Sequence, residues 1–112
     1  VIAQLQCWVA VAPDLEVVGL LALEGEWVDQ LYVLTRSQAH GIGSALLDQA
    51  KRQRPDGLQL WTFASNLAAR RFYEQRGFVA VEQTAGADNE EHAPDVRYVW
   101  VPTGRDFVHR PG

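Results

Sequence analysis

One cysteine, Cys7, is all the thiol chemistry this 112-residue chain carries, and methionine is absent. A lone cysteine excludes an internal disulfide framework and fits a reducing compartment, so the cytoplasm is the expected setting. Cys7 falls in an apolar, strand-like run and is expected as a small buried hydrophobe rather than a nucleophile. Long apolar runs are missing too. None approaches the ~20 residues that a spanning helix needs, and no signal peptide is visible, so no membrane partner is expected. Positive charge is in deficit: ten Lys and Arg against fourteen Asp and Glu leave a formal charge of −4 and a pI near 5.2. That argues against a nucleic-acid surface and is compatible with a cationic substrate such as an amine. No Cys/His cluster has metal-ligand spacing, and there is no internal repeat or low-complexity tract. What is present, 47% hydrophobic and 21% charged residues, fits one globular domain with a core.

Periodicity and turn chemistry give the order of elements. Residues 7–12 read as a strand, and Pro13-Asp14-Leu15-Glu16 as a turn in which proline fixes φ and Asp14 offers a side-chain acceptor. Residues 17–23 read as a second strand. Glu24-Gly25-Glu26 then turns into a third over 27–33, and such short links make an antiparallel meander. A helix over about 42–53 stops at Pro55-Asp56-Gly57, and a strand over 58–63 follows; this strand-helix-strand crossover predicts a parallel pair. Asn66 is placed to cap a second helix. Gly77 sits where a left-handed C′ residue belongs, with Phe78 packing back on Phe72 or Tyr73. A strand over 78–83, a polar loop over 84–94 and a strand over 96–101 complete a mixed α/β layout. Residues 102–112 read as a tail.

The segment Gln38-Ala39-His40-Gly41-Ile42-Gly43 joins the third strand to the first helix, whose apolar face is predicted as Ile42, Ala45, Leu46, Gln49 and Ala50. Paired glycines at such a junction let backbone N–H groups crowd around an anion, and the helix start adds donors and the positive end of its dipole. The motif points to phosphate, with a plain tight turn as the alternative. It is not a P-loop, since no Gly-Lys-Ser/Thr follows. Nor is it a dinucleotide fingerprint, which needs a third glycine and an acid at the end of the next strand, where Leu58-Gln59-Leu60-Trp61-Thr62-Phe63 has none.

Gln-x-x-Gly-x-Gly after a strand, followed by a helix, a strand and Asn66-Leu67-Ala68-Ala69-Arg70-Arg71-Phe72-Tyr73-Glu74-Gln75-Arg76-Gly77-Phe78, resembles the GNAT acyltransferase superfamily over roughly residues 7–101. The resemblance implies a GNAT-like mixed sheet in a single domain. It also implies acetyl-CoA as cofactor, its pyrophosphate held by Gln38, Ala39, His40, Gly41, Ile42, Gly43 and Ser44. The pantetheine arm is expected along Leu31, Tyr32 and Val33, and beside Asn66, Ala69, Phe72 and Tyr73. A complete domain of this kind normally has another strand and two helices ahead of this point. The chain is therefore expected to be a fragment, a domain cut from a longer protein or a natural short form, with a bare strand edge inviting a second copy.

The implied activity is acetyl transfer from acetyl-CoA to a primary amine, on a small molecule or a peptide, by direct attack; one thiol remote from the motif disfavours an acyl-enzyme. Tyr73 is the general-acid candidate for the departing thiolate, its alternative role being packing against Phe78. A backbone N–H near Tyr32 or Val33 is expected to bind the oxyanion. Asp29 and Glu26 are the candidate bases, against the alternative of solvated carboxylates, with Trp27, Asp29 and Leu31 expected on one face and Glu26 out of that register unless the turn realigns it. Glu24, Glu90 and Glu91 are candidates for binding a cationic acceptor, against the alternative of solvated turn and loop carboxylates. Arg70 and Arg71 are expected at the cofactor's outer phosphate or in solvent. An acyl-CoA-binding sensing or interaction domain without a full catalytic site is the alternative function.

Overall fold

The computed structural model describes residues 5–38, 41–87 and 92–102. Strands β1 (Leu5–Val11), β2 (Val17–Glu24) and β3 (Trp27–Val33) precede helix α1 (Ile42–Gln53). Then come β4 (Leu58–Phe63), helix α2 (Leu67–Glu74), β5 (Val79–Thr84) and β6 (Asp95–Trp100). This is the mixed α/β order that the sequence predicts. The chain divides into two compact units, with the boundary between Leu58 and Gln59.

In the first unit, β1, β2 and β3 form the expected antiparallel meander. β1 begins earlier than apolarity suggested, because the polar Gln6 and the preceding Leu5 still find partners in Leu23 and Glu24. It stops at Val11, because the Ala12 N–H turns away to donate to the Glu16 carbonyl at 2.9 Å. Asp14 accepts from the Glu16 N–H at 3.0 Å, as expected of that turn. One strand face, carrying Gly19, Leu21 and Leu23 with Val28, Leu31 and Val33 opposite them, receives α1. The helix buries Leu46, Leu47 and Ala50, while Ala45 is exposed. The buried stripe is thus turned by about one residue from the predicted one, toward Leu47.

Gly19 sets how near the helix comes. A Cβ there would lie 3.0 Å from Leu46 Cδ1, 3.1 Å from Ile42 Cγ2 and 3.2 Å from the Tyr32 carbonyl oxygen. Arg54, just past α1, ties the helix end to the strands: Nε donates to the Gly25 carbonyl at 2.6 Å and Nη2 to Gln6 Oε1 at 2.5 Å. Cys7 does not have the expected burial. It pairs with Ala22 on the strand face away from α1 and is exposed. That face of β1 also exposes Leu5 and Val9.

In the second unit the strand order is β4-β6-β5, with β5 and β6 antiparallel. Leu60, Phe78, Val96 and Tyr98 are buried. α2 starts at Asn66, whose Oδ1 accepts from the Ala69 N–H at 3.1 Å. It ends in paired bonds, Phe78 N–H to the Tyr73 carbonyl at 3.1 Å and Gly77 N–H to the Glu74 carbonyl at 3.3 Å. Gly77 between them has φ +91°. This is the glycine stop that the sequence predicts. Because Phe78 is spent on the helix stop, β5 starts one residue late, and it extends to Thr84, which pairs with Asp95. Thr84 Oγ1 also bonds the Asp95 carboxylate and accepts from the Gly86 N–H at 3.1 Å.

Two substitutions test these contacts by urea unfolding. Gly19→Val should lose about 1–3 kcal/mol through overpacking against α1. Asn66→Ala should lose about 1 kcal/mol through loss of the cap. Unchanged midpoints would remove the close approach and the cap from the account.

Candidate functional site

The glycine segment of the first unit is a bare helix start. β3 ends as the Leu34 N–H donates to the Val18 carbonyl at 2.9 Å, and a short 3-10 turn over Thr35–Ser37 leads to Gln38. Gln38 Nε2 donates to the Val33 carbonyl at 3.2 Å, so this side chain braces the loop on the end of β3. Gly41 is the N-cap with φ +79°, a conformation that side chains disfavour. A Cβ on Gly41 would meet nothing within 4 Å, so backbone conformation and not crowding within the chain calls for glycine. The first intrahelical bond is Ala45 N–H to the Gly41 carbonyl at 3.0 Å, which leaves the N–H groups of Ile42 and Gly43 ahead of the ladder. Gly41 has no side chain with which to cap this start and no acid lies in the first turn, while Lys51 and Arg52 occupy the last turn. The helix dipole at Gly41–Ser44 therefore meets no protein carboxylate of its own helix. Ala39 and His40 lie outside the described residues.

β3 carries a bulge that the sequence reading did not anticipate. Gln30 pairs with Ala22 and Val28 with Leu23, so Asp29 is an extra residue without a partner across the strand. Paired residues point to the same face. Leu31, opposite Leu21, therefore lies on the α1 face, whereas Trp27, opposite Glu24, lies on the other. The expected shared face of Trp27, Asp29 and Leu31 is overturned, because the bulge breaks the period-2 alternation. Asp29 is exposed at the bulge, Glu24 is half-buried, and Glu26 is exposed in the turn. Leu31, Tyr32 and Val33 pair through one edge with Leu21, Leu20 and Gly19, and Tyr32 is exposed on the face away from α1.

In the second unit, Tyr73 sits among rings. Phe72 lies edge-on at 5.3 Å between centroids, Phe78 at 5.5 Å and Tyr98 at 6.3 Å. Burial pushes the Tyr73 phenol up to about 12. No described side-chain nitrogen or oxygen is buried without a hydrogen-bond partner. Phe72 is stacked by the Arg76 guanidinium, 3.9 Å from its ring centre. Asn66 and Ala69 are joined by the cap bond.

Arg70 is not simply in solvent. Its Nε donates to the Tyr98 hydroxyl at 3.0 Å and its Nη1 to the Ala64 carbonyl at 3.1 Å. Arg71 is exposed. Glu90 and Glu91 lie outside the described residues. Among the described residues no group of three or more His, Cys, Asp or Glu could hold a metal.

The first unit thus gathers Gln38, Gly41, Ile42, Gly43 and Ser44 at the end of the Leu31–Val33 stretch, and the second gathers Asn66, Ala69, Phe72 and Tyr73 on α2. Sequence reasoning missed Gly19, Tyr98 and the bulge. A glycine inside a strand signals close backbone approach, and the alternation Val96, Tyr98, Trp100 marks one face of β6, so the first two had a signal. The bulge had none.

The acetyltransferase (GNAT) domain family matches residues 3–80. A curated relative, the peptidyl-lysine N-acetyltransferase YjaB of Salmonella typhimurium, is 37% identical over 71 residues, which cover 63% of this chain and 48% of the relative. The solution structure of the apo form of YjaB from Escherichia coli superposes with a TM-score of 0.76 at 26% identity, covering 85% of this chain and 64% of the other. A crystal structure of a Bacillus anthracis acetyltransferase in complex with acetyl coenzyme A shares the fold, with a TM-score of 0.75 at 20% identity, covering 86% of this chain and 61% of the other. The match spans about half the length of this curated relative. With the family match spanning residues 3–80, the chain belongs to the GNAT acetyltransferase family.

Proposed function

We propose that this chain is a single acyl-CoA-binding domain that transfers the acetyl group of acetyl-CoA to a primary amine, on a small molecule or a peptide, by direct attack. The observation that carries the reading is the bare start of α1. A left-handed glycine cap and a first turn with no acid support an anion site, and family membership supports the coenzyme pyrophosphate as the anion. Gln38, Gly41, Ile42, Gly43 and Ser44 would hold it, with Ala39 and His40 completing the loop. The coenzyme supplies the activated thioester; the chain's residues orient it and move protons. Leu31, Tyr32 and Val33 would run beside the pantetheine, with a backbone N–H there facing the oxyanion.

Asp29 is the preferred base, because bulges re-aim side chains beside active sites; Glu26 is its neighbour in the adjoining turn. Glu24, with Glu90 and Glu91, would attract a cationic acceptor. Asn66, Ala69 and Phe72 shape the wall that presents Tyr73. As the carbon–sulfur bond breaks, the Tyr73 hydroxyl gives its proton to the thiolate. With the phenol near 12 and a thiol near 8.5, that transfer is uphill by about 5 kcal/mol if completed alone. The phenolate is thus a strong enough base to recover a proton from the ammonium formed on the acceptor, and the proton count closes. A homodimer belongs to this reading, supported by the exposed Leu5 and Val9 on β1.

Calorimetric titration with acetyl-CoA tests the cofactor site. Micromolar binding that is lost in Gly43→Glu is the expected result. No binding by the folded chain would contradict the proposal, and binding without turnover of any amine would favour a sensing domain.

Tyr73→Phe should lower kcat about 100-fold, within the range for general acids, with acetyl-CoA affinity unchanged. The pH dependence has a definite sign. Tyr73 stays protonated until pH approaches 12, so kcat/KM should rise with pH as the amine loses its proton, and show no fall centred near 10. A fall near 10 that Tyr73→Phe abolishes would contradict the raised phenol.

A further inference from the structure

The Tyr98 side chain on β6 is fully buried, and its hydroxyl does more than find a partner. It accepts from Arg70 Nε at 3.0 Å and donates to Glu74 Oε2 at 2.6 Å. Either bond alone would satisfy a buried phenol. Together they link positions i and i+4 on α2, which stack on one side of a helix, and Tyr73 lies within that turn, three residues after Arg70 and one before Glu74. The Tyr98 ring also packs at 6.3 Å from that of Tyr73.

The network reaches the helix entry as well. Arg70 Nη1 holds the Ala64 carbonyl at 3.1 Å, and the Ala64 N–H donates to the Pro94 carbonyl at 2.9 Å, just before β6. Burial raises the Tyr98 phenol above its ordinary range, and donation to Glu74 adds to this. The proton therefore stays on Tyr98, and the donor and acceptor pattern is fixed. Charge-assisted bonds of this kind are stronger than neutral ones and hold geometry.

We propose that Tyr98 is a positioning residue that acts through Arg70 and Glu74 to hold the turn of α2 that presents Tyr73. This inference rests on Tyr73 being the proton donor. It assigns work to two residues of the family-like helix segment, Arg70 and Glu74, whose place in the sequence suggested only solvent or phosphate for the arginine. A hydroxyl misplaced by about 1 Å can lose up to roughly 100-fold in rate, so loosening this turn should lower kcat and leave the coenzyme's phosphate site untouched.

The test is a double-mutant cycle on kcat with an accepted primary amine, alongside calorimetric acetyl-CoA affinity. Tyr98→Phe should lower kcat by roughly 10-fold with affinity unchanged, and should lower it no further in the Tyr73→Phe background. Glu74 is exposed on α2, so Glu74→Ala removes the same acceptor without opening the core and should reproduce the loss. Glu74→Gln, which keeps an acceptor oxygen, should restore most of the rate. Equal losses in both backgrounds, or a wild-type kcat in Tyr98→Phe and Glu74→Ala, would overturn the inference. If instead Tyr73→Phe alone leaves kcat unchanged, it is the Tyr73 assignment that falls.

A second readout needs no turnover. The chain has three tyrosines, so single Phe variants assign their ring carbons by NMR. The Tyr73 phenol should titrate lower in Tyr98→Phe, which removes no charge, than in wild type, as its ring packing loosens; an unmoved titration would count against positioning.

Discussion

A side chain at position 19 would meet Leu46 at 3.0 Å and Ile42 at 3.1 Å and force both to give way, so a glycine there eases the close approach of α1. That approach has consequences in both directions along the chain. Toward the C-terminal end of α1, Leu46, Leu47 and Ala50 seat on the strands, and Arg54 fastens the helix exit to Gly25 and Gln6. Toward its N-terminal end, Gly41 enters the helix in a left-handed conformation and leaves the first turn without a cap. An uncapped, acid-free helix start is expensive for a protein to keep unless something outside the chain completes it. In the function proposed, that something is the coenzyme's phosphate.

The second unit solves a different problem. In the proposed reaction Tyr73 must be dry enough to keep its proton and still able to deliver it. The ring cluster of Phe72, Phe78 and Tyr98 provides the dryness and raises the phenol to about 12. The glycine stop after Arg76 folds Phe78 back under the helix to complete that cluster. Polar bonds sit outside the rings: Asn66 closes the helix entry, and Arg70, Glu74 and Tyr98 close the turn that follows.

Much of this was legible in the residues. β3, α1 and β4 have the bounds read from periodicity, and Asn66 and Gly77 signal the cap and the stop that they form. These features are local, fixed by turn chemistry and capping within a few residues. What could not be read is what depends on a distant partner. The Asp29 bulge arises from pairing with Ala22 and Leu23, and it sends Trp27 and Leu31 to opposite faces. Cys7 looked buried because its run is apolar, but it lies on the strand face away from α1. Arg70 reads as a surface residue until Tyr98, twenty-eight positions later, is placed beside it.

The central claim is that the bare start of α1 is completed by coenzyme phosphate, and backbone amide NMR tests it most directly. Titration with acetyl-CoA should shift the Ile42 and Gly43 amide signals strongly, whereas acetyl-pantetheine, which lacks the pyrophosphate, should leave them near their starting positions. Equal shifts with both ligands, or none with acetyl-CoA, would contradict the account.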